Sequence, residues 1–325
     1  MAEAPHRQGE PPFISATLGL DTLDLNLFRS KANSLFVPIR ARGVFGGQVI
    51  SQALVAATKC VDPAYHLNSM HCYFLLSASG TVPIFYTVDR IRDGRSYCTR
   101  SVRAVQKGQT IFTMLCSFQR PEPWQPHDYQ MPMPQGLPPP DTCEDTEVIY
   151  KRYLKVQKDL KPEFREHLAD YIQEREASPL AIRHAAVRVN EEGVRTIMTW
   201  FKVRAMAKYP ASFQKCILSY ISDSQFIGAA TKVLHIDRHS EGENRLSMSS
   251  TIDHTIWFYD DDFDCGDWLL YVVDTPRARH GRAVVFGRMY TESGKLIAVM
   301  TQEGVMRVDI RPPPQNGTVA GKAKL

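Results

Sequence analysis

The stretch SQALVAATK beginning at Ser51 returns as SQFIGAATK beginning at Ser224, with six of nine positions identical. A repeat of this kind constrains the fold before any single element is read. Each copy is followed by the same succession of β-rich runs. After the first come HLNSMHCYFLLSA from His66 and, last, TIFTMLCSF ending at Phe118; after the second come SMSSTIDHTIWFY from Ser247 and LIAVMTQEGVM ending at Met306. One helix followed by several antiparallel strands, made twice, is an α+β arrangement.

The first unit spans 17–120. It opens with Leu35 to Pro38 as a short strand and a helix from Gln48 to Lys59. Strands follow at 66–78, 84–92, 95–105 and 110–119, with turn signals at Asp93-Gly94 and Lys107-Gly108-Gln109. Eight prolines between Pro121 and Pro140 remove donors and fix φ, so neither helix nor central strand persists there. The linker runs from 121 to 181, and its charged part from Glu144 to Glu176 reads as a surface helix broken at Pro162. The second unit, 182–310, takes strands at 186–191 and 196–206, a helix at 213–231, and strands at 247–259, 268–275, 282–291 and 295–308. Residues 1–16 and the Pro-, Gly- and Lys-rich tail 311–325 read as disordered.

A hydrophobic content of 43 % over 325 residues supports a sizeable core, and a net charge of +4 with no basic block speaks against nucleic acid. The seven cysteines are widely spaced, odd in number and form no C-x-x-C pair, which argues against both a disulfide framework and a zinc site. No metal or other cofactor is expected. There is neither an apolar run of membrane-spanning length nor a secretory signal core, so a soluble intracellular protein is expected. Ala323-Lys324-Leu325 matches the small-basic-leucine address read by the peroxisomal import receptor, which predicts the peroxisomal matrix.

Duplicated units share core residues for packing reasons, so positions polar in one copy and apolar in the other are informative. Three emerge: Asp223 opposite Ile50, Thr251 opposite Leu67, and Gln302 opposite Phe118. Asp223 falls at helical spacing with Tyr220, Phe226 and Ile227, an apolar stripe where an unpaired charge is costly. Gln302 alternates with Ala298 and Met300 and must find partners if buried. Thr251 shares a strand side with Ser249, Asp253 and Thr255. Taken singly, these are equally a helix cap, a solvated row and a satisfied core amide. Together they can hold a water, with Asp223 as base and Thr251 and Gln302 orienting it, for hydrolysis of a reactive electrophile such as a thioester.

Gly46-Gly47-Gln48 at the start of the first helix either aims backbone N–H groups at an anion or lets the helix approach the sheet. No G-x-S-x-G elbow, phosphate loop, H-E-x-x-H or dinucleotide fingerprint is present. A hydratase would need a paired His and acid. Asp253-His254 cannot be one directly, since adjacent strand residues face opposite sides.

GVFGGQVISQAL from Gly43, HCYFL from His71, YISDSQF from Tyr220, TIDHTIWF from Thr251, FGRMYTESGKLIAVMTQEGVMR from Phe286 and the terminal Ala-Lys-Leu resemble the type II acyl-CoA thioesterases, in particular their peroxisomal branch. The likeness covers about residues 17–310 in order. It implies a double hotdog, in which each unit wraps an antiparallel sheet around a long helix, and hydrolysis of acyl-CoA to free acid and CoA. The family's Asp, Ser/Thr and Gln set falls on Asp223, Thr251 and Gln302, and its members commonly assemble into homo-oligomers. The family's Arg-Gly pair before the penultimate strand is His280-Gly281 here. Rivals from other classes are a hotdog enoyl-CoA hydratase and a non-catalytic acyl-CoA-binding scaffold.

Overall fold

The structure, a computed structural model, describes residues 14–240 and 242–309. Its first half runs α1 (Ile14–Leu18), β1 (Leu20–Asp24), β2 (Leu27–Ser30), α2 (Gly46–Lys59), β3 (His66–Phe74), β4 (Phe85–Asp93), β5 (Tyr97–Gln106) and β6 (Gln109–Gln119). Two connecting helices follow, α3 (Thr146–Val156) and α4 (Pro162–Ala177). The second half is β7 (Leu180–Val189), β8 (Arg195–Val203), α5 (Ala211–Ser222), α6 (Gly228–Leu234), β9 (Leu246–Phe258), β10 (Leu269–Arg279), β11 (Arg282–Thr291) and β12 (Leu296–Val308).

All strands join one 12-stranded antiparallel sheet in the order β1-β2-β4-β5-β6-β3-β9-β12-β11-β10-β8-β7. Counted outward from the β3–β9 seam, the two halves have the same topology. At the seam Ser69 faces Trp257 and Tyr73 faces Asp253. This is the double hotdog.

Strand alternation decides which face is inward. In β5, Cys98, Arg100, Val102, Ala104 and Gln106 are buried while their neighbours are not. The inward face wraps the two long helices. From Gly47 to Ala57 every residue of α2 is buried, as a helix enclosed on all sides requires. Gly47 at the start of α2 lies against Tyr220 near the end of α5, and Thr58 at its far end reaches Cys216 near the start of α5, so the helices are antiparallel. A single apolar core runs through both halves.

Three expectations change. Leu35 to Pro38 is not a strand: the Phe36 carbonyl accepts from the Phe45 N–H at 2.9 Å, and the Phe36 N–H donates to Gln48 Oε1 at 2.8 Å. The strands that open the first unit are β1 and β2, upstream of it, and β1 is too exposed for its alternation to show. The chain is already ordered at α1, where Ile14 and Leu18 are buried, inside the stretch expected to be disordered. The helix expected over 213–231 is two helices, interrupted from Asp223 to Ile227, with Gln225 at φ +61° in the left-handed region that ends a helical ladder. Residues 1–13 and 310–325, including the terminal Ala-Lys-Leu, lie outside the described residues.

The linker covers the outer face of the second half. Met133 and Leu137 pack on a cluster that includes Trp200, Trp268 and Tyr290, and Trp200 donates to the Pro138 carbonyl at 3.2 Å. Leu168, Ile172 and Arg175 form the buried face of α4. His280 and Gly281 take φ 54° and 70°, the pair of positive values that a two-residue I′ hairpin between β10 and β11 needs.

Candidate active site

Where α5 ends, α2 begins. Asp223 caps the end of α5, and its carboxylate meets the unsatisfied N–H groups at the start of α2, accepting from Gly47. It is therefore not the mid-helix residue that the alignment with Ile50 implied. A Cβ on Gly46 would sit 2.8 Å from Asp223 Oδ2 and 3.0 Å from the Phe74 ring, so only glycine leaves room for the carboxylate. A Cβ on Gly47 would meet the Phe45 ring at 2.6 Å and the Tyr220 carbonyl at 2.8 Å, so this glycine also lets the two helices touch.

Gln302 is fully buried on β12, and its amide joins the other two residues. Nε2 donates to Asp223 Oδ1 at 2.6 Å and to Thr251 Oγ1 at 3.0 Å. Both amide hydrogens are thereby engaged, and Oε1 is buried without a partner among the described residues. The three residues singled out in the sequence thus form one cluster.

Thr251 reaches this cluster by a route that alternation does not predict. On β9, Asp253 pairs with Glu303 and Thr251 with Gly304, so Ile252 is an extra residue and the strand bulges. The bulge turns Thr251 to the inner side shared by His254 and Gln302, away from the row of Asp253 and Thr255. β3 bulges at the matching Asn68, where Leu67 pairs with Phe118 and Ser69 with Ser117. Leu67 and Thr251 are therefore equivalent. Gln302 is not equivalent to Phe118: His254 faces Gln302 as Met70 faces Cys116, so its counterpart is Cys116, two residues away on the same face.

Burial raises the Asp223 carboxyl from the usual 3.8 to about 6, against the Gln302 amide and the Gly47 N–H, which favour the charged form. A base with that value is poised to take a proton near neutrality.

His254, directly opposite Gln302, was not among the expected site residues. It is fully buried, burial pushes its imidazole down to about 3, and Nε2 lies 3.0 Å from Ser222 Oγ. The Tyr271 hydroxyl donates to the Ser222 carbonyl at 2.8 Å. A neutral histidine and a tyrosine thus pin the residue before Asp223. The available signal was its parity on the strand, which puts it on the inward face.

Gln48 does not face the site. Its amide donates to the carbonyls of Thr17 (2.9 Å) and Ser34 (2.6 Å) while Oε1 accepts from Phe36, so its side chain braces the segment before α2. Tyr220, α4 and residues 31–39 line a cavity of about 690 Å³.

Family models match both halves: the acyl-CoA thioesterase N-terminal domain over residues 37–119 and the acyl-CoA thioesterase C-terminal domain over 140–306. Human acyl-coenzyme A thioesterase 8 is 33 % identical over 315 residues, covering 93 % of this chain and 92 % of that protein. The peroxisomal acyl-coenzyme A thioester hydrolase 1 of Saccharomyces cerevisiae is 24 % identical over 308 residues, covering 82 % and 86 %. Among solved structures, the acyl-CoA thioesterase II TesB2 of Mycobacterium marinum superposes with a TM-score of 0.70 at 30 % identity, covering 93 % of this chain and 99 % of that one.

Proposed function

Since the chain belongs to the type II acyl-CoA thioesterase family and hydrolyses acyl-CoA, we propose that Asp223, Thr251 and Gln302 carry out that hydrolysis. A water donates one hydrogen to Asp223 and accepts from the Thr251 hydroxyl, whose oxygen is already engaged by Gln302. The water oxygen bonds to the thioester carbon as Asp223 takes its proton. The C–S bond then breaks, and the departing CoA sulfur receives the proton back from Asp223. No covalent enzyme intermediate is formed.

The observation that carries this reading is the single Gln302 amide, which donates to both the base and the hydroxyl and fixes their separation. With both its hydrogens so used, Gln302 orients the base and does not receive the oxyanion. The hydratase alternative needs an acid beside a histidine, whereas His254 is turned to Ser222 and Asp253 accepts from the Glu303 N–H on the other face.

Asp223→Asn keeps the shape and removes the base, and is expected to lower the rate of thiol release by roughly 10² to 10⁴. Gln302→Ala, which releases the base and the hydroxyl from their fixed separation, is expected to lower it by about 10². A folded Asp223→Asn protein with near-full turnover would refute the assignment. Ala323, Lys324 and Leu325 are read as a peroxisomal import signal, supported by their chemistry and by the yeast relative, which is named as peroxisomal.

A further inference from the structure

Three parts of the chain far apart in sequence bring two arginines and two histidines together beside α4. Arg40 comes from the irregular segment before α2, His167 from α4, and Arg238 and His239 from the turn after α6. The His167 and His239 ring centroids lie 5.0 Å apart, and the Phe164 ring meets His239 edge-on at 4.7 Å. Burial, Arg40, His239 and Arg238 all hold His167 below the usual imidazole range, and Asp170 is the carboxylate that acts the other way. His167 Nδ1 is buried and has no partner among the described residues. The adjacent carboxylate, Asp237, accepts from the His239 backbone N–H at 2.5 Å and so serves the turn itself.

The cluster is joined to the end of α5 through α4. Gln225, two residues past Asp223, reaches the Tyr171 hydroxyl at 3.5 Å, and His167 is one turn before Tyr171, about 6 Å along α4. Arg40 and Arg238 are exposed to solvent while the two histidines are half-buried, which leaves the charges open to a ligand arriving from outside.

A CoA thioester carries its phosphates at the far end of the pantetheine arm from the reacting carbon. Arginine meets phosphate with parallel N–H donors, and a neutral imidazole adds one N–H donor of its own. We propose that Arg40, Arg238, His167 and His239 form the seat of the CoA phosphates, an inference that rests on Asp223 being the hydrolytic base.

The test compares one acyl chain presented as its CoA thioester and as its pantetheine thioester, which has no phosphate, on the wild type and an Arg40→Ala/Arg238→Ala variant. The expected result is a rise of about tenfold or more in KM for the CoA thioester, with a weaker salt dependence, and no matching change for the pantetheine thioester. An unchanged ratio between the two substrates, in a variant with wild-type melting temperature, overturns the seat. So does an equal loss on both, which would place these residues in the fold or the chemistry. Should the double variant fail to fold, Arg40→Ala and Arg238→Ala separately carry the same ratio. Failure of the underlying reading registers elsewhere, as turnover of the pantetheine thioester by Asp223→Asn.

Discussion

Asp223 is ionised against its surroundings, and this has opposite effects on rate and on stability. A carboxyl whose folded value is raised from 3.8 to about 6 favours the protonated form, so its contribution to stability is nil below about pH 4 and unfavourable above about pH 6. The full penalty is at most about 3 kcal/mol. Tyr220, Tyr271 and Cys72 around it are all pushed above their usual ranges and His254 lies at about 3, so none of these four changes form between pH 4 and 8, where Asp223 does. The rate is therefore expected to rise with pH through about 6 and then level off. Asp223→Asn is expected to melt no lower than wild type at pH 8, with any gain vanishing towards pH 4; a pH–rate profile and melting curves at both pH values check this. Asp223 and Gln302 were legible in the sequence because each is polar on an apolar background. The face of Thr251 was not, because one inserted residue reverses the parity on which such a reading depends.

At the scale of elements, the decisive contact is between two helix ends. Gly46→Ala puts a methyl against the carboxylate, and a displacement of that kind is expected to lower kcat by about 10² with little change in melting temperature. Gly47→Ala instead drives a methyl into the Tyr220 carbonyl and the Phe45 ring, and is expected to cost about 1–3 kcal/mol of stability. Activity and thermal melts of the two variants, measured together, separate the roles of neighbouring glycines. Strands β3 to β6 and β9 to β12 could be read from their alternation, which persists because one face is buried. The break after α5 could not, since Gln225 carries no compositional mark of the left-handed conformation it adopts.

At the scale of the molecule, the β3–β9 seam makes one body of two units, and the linker covers one outer face. A fluorescent fusion that leaves the C-terminus free is expected to collect in peroxisomes and to become diffuse when Ala323 to Leu325 are deleted; unchanged puncta would dismiss the tripeptide as the signal. The repeat made this architecture legible, but the sheet's continuity across the seam depends on pairing between residues nearly two hundred positions apart, such as Met70 and Ile256. The bulge at Asn68 survives in the first half, yet Leu67 and Cys116 stand there where Thr251 and Gln302 stand in the second. A duplicated unit without a hydrolytic trio of its own still serves that of its neighbour, since α2 lends Asp223 the Gly47 N–H and the gap at Gly46. Under the proposed mechanism the two halves of one chain therefore answer to different constraints: the second to the chemistry of three side chains, the first to the shape of the helix end that receives one of them.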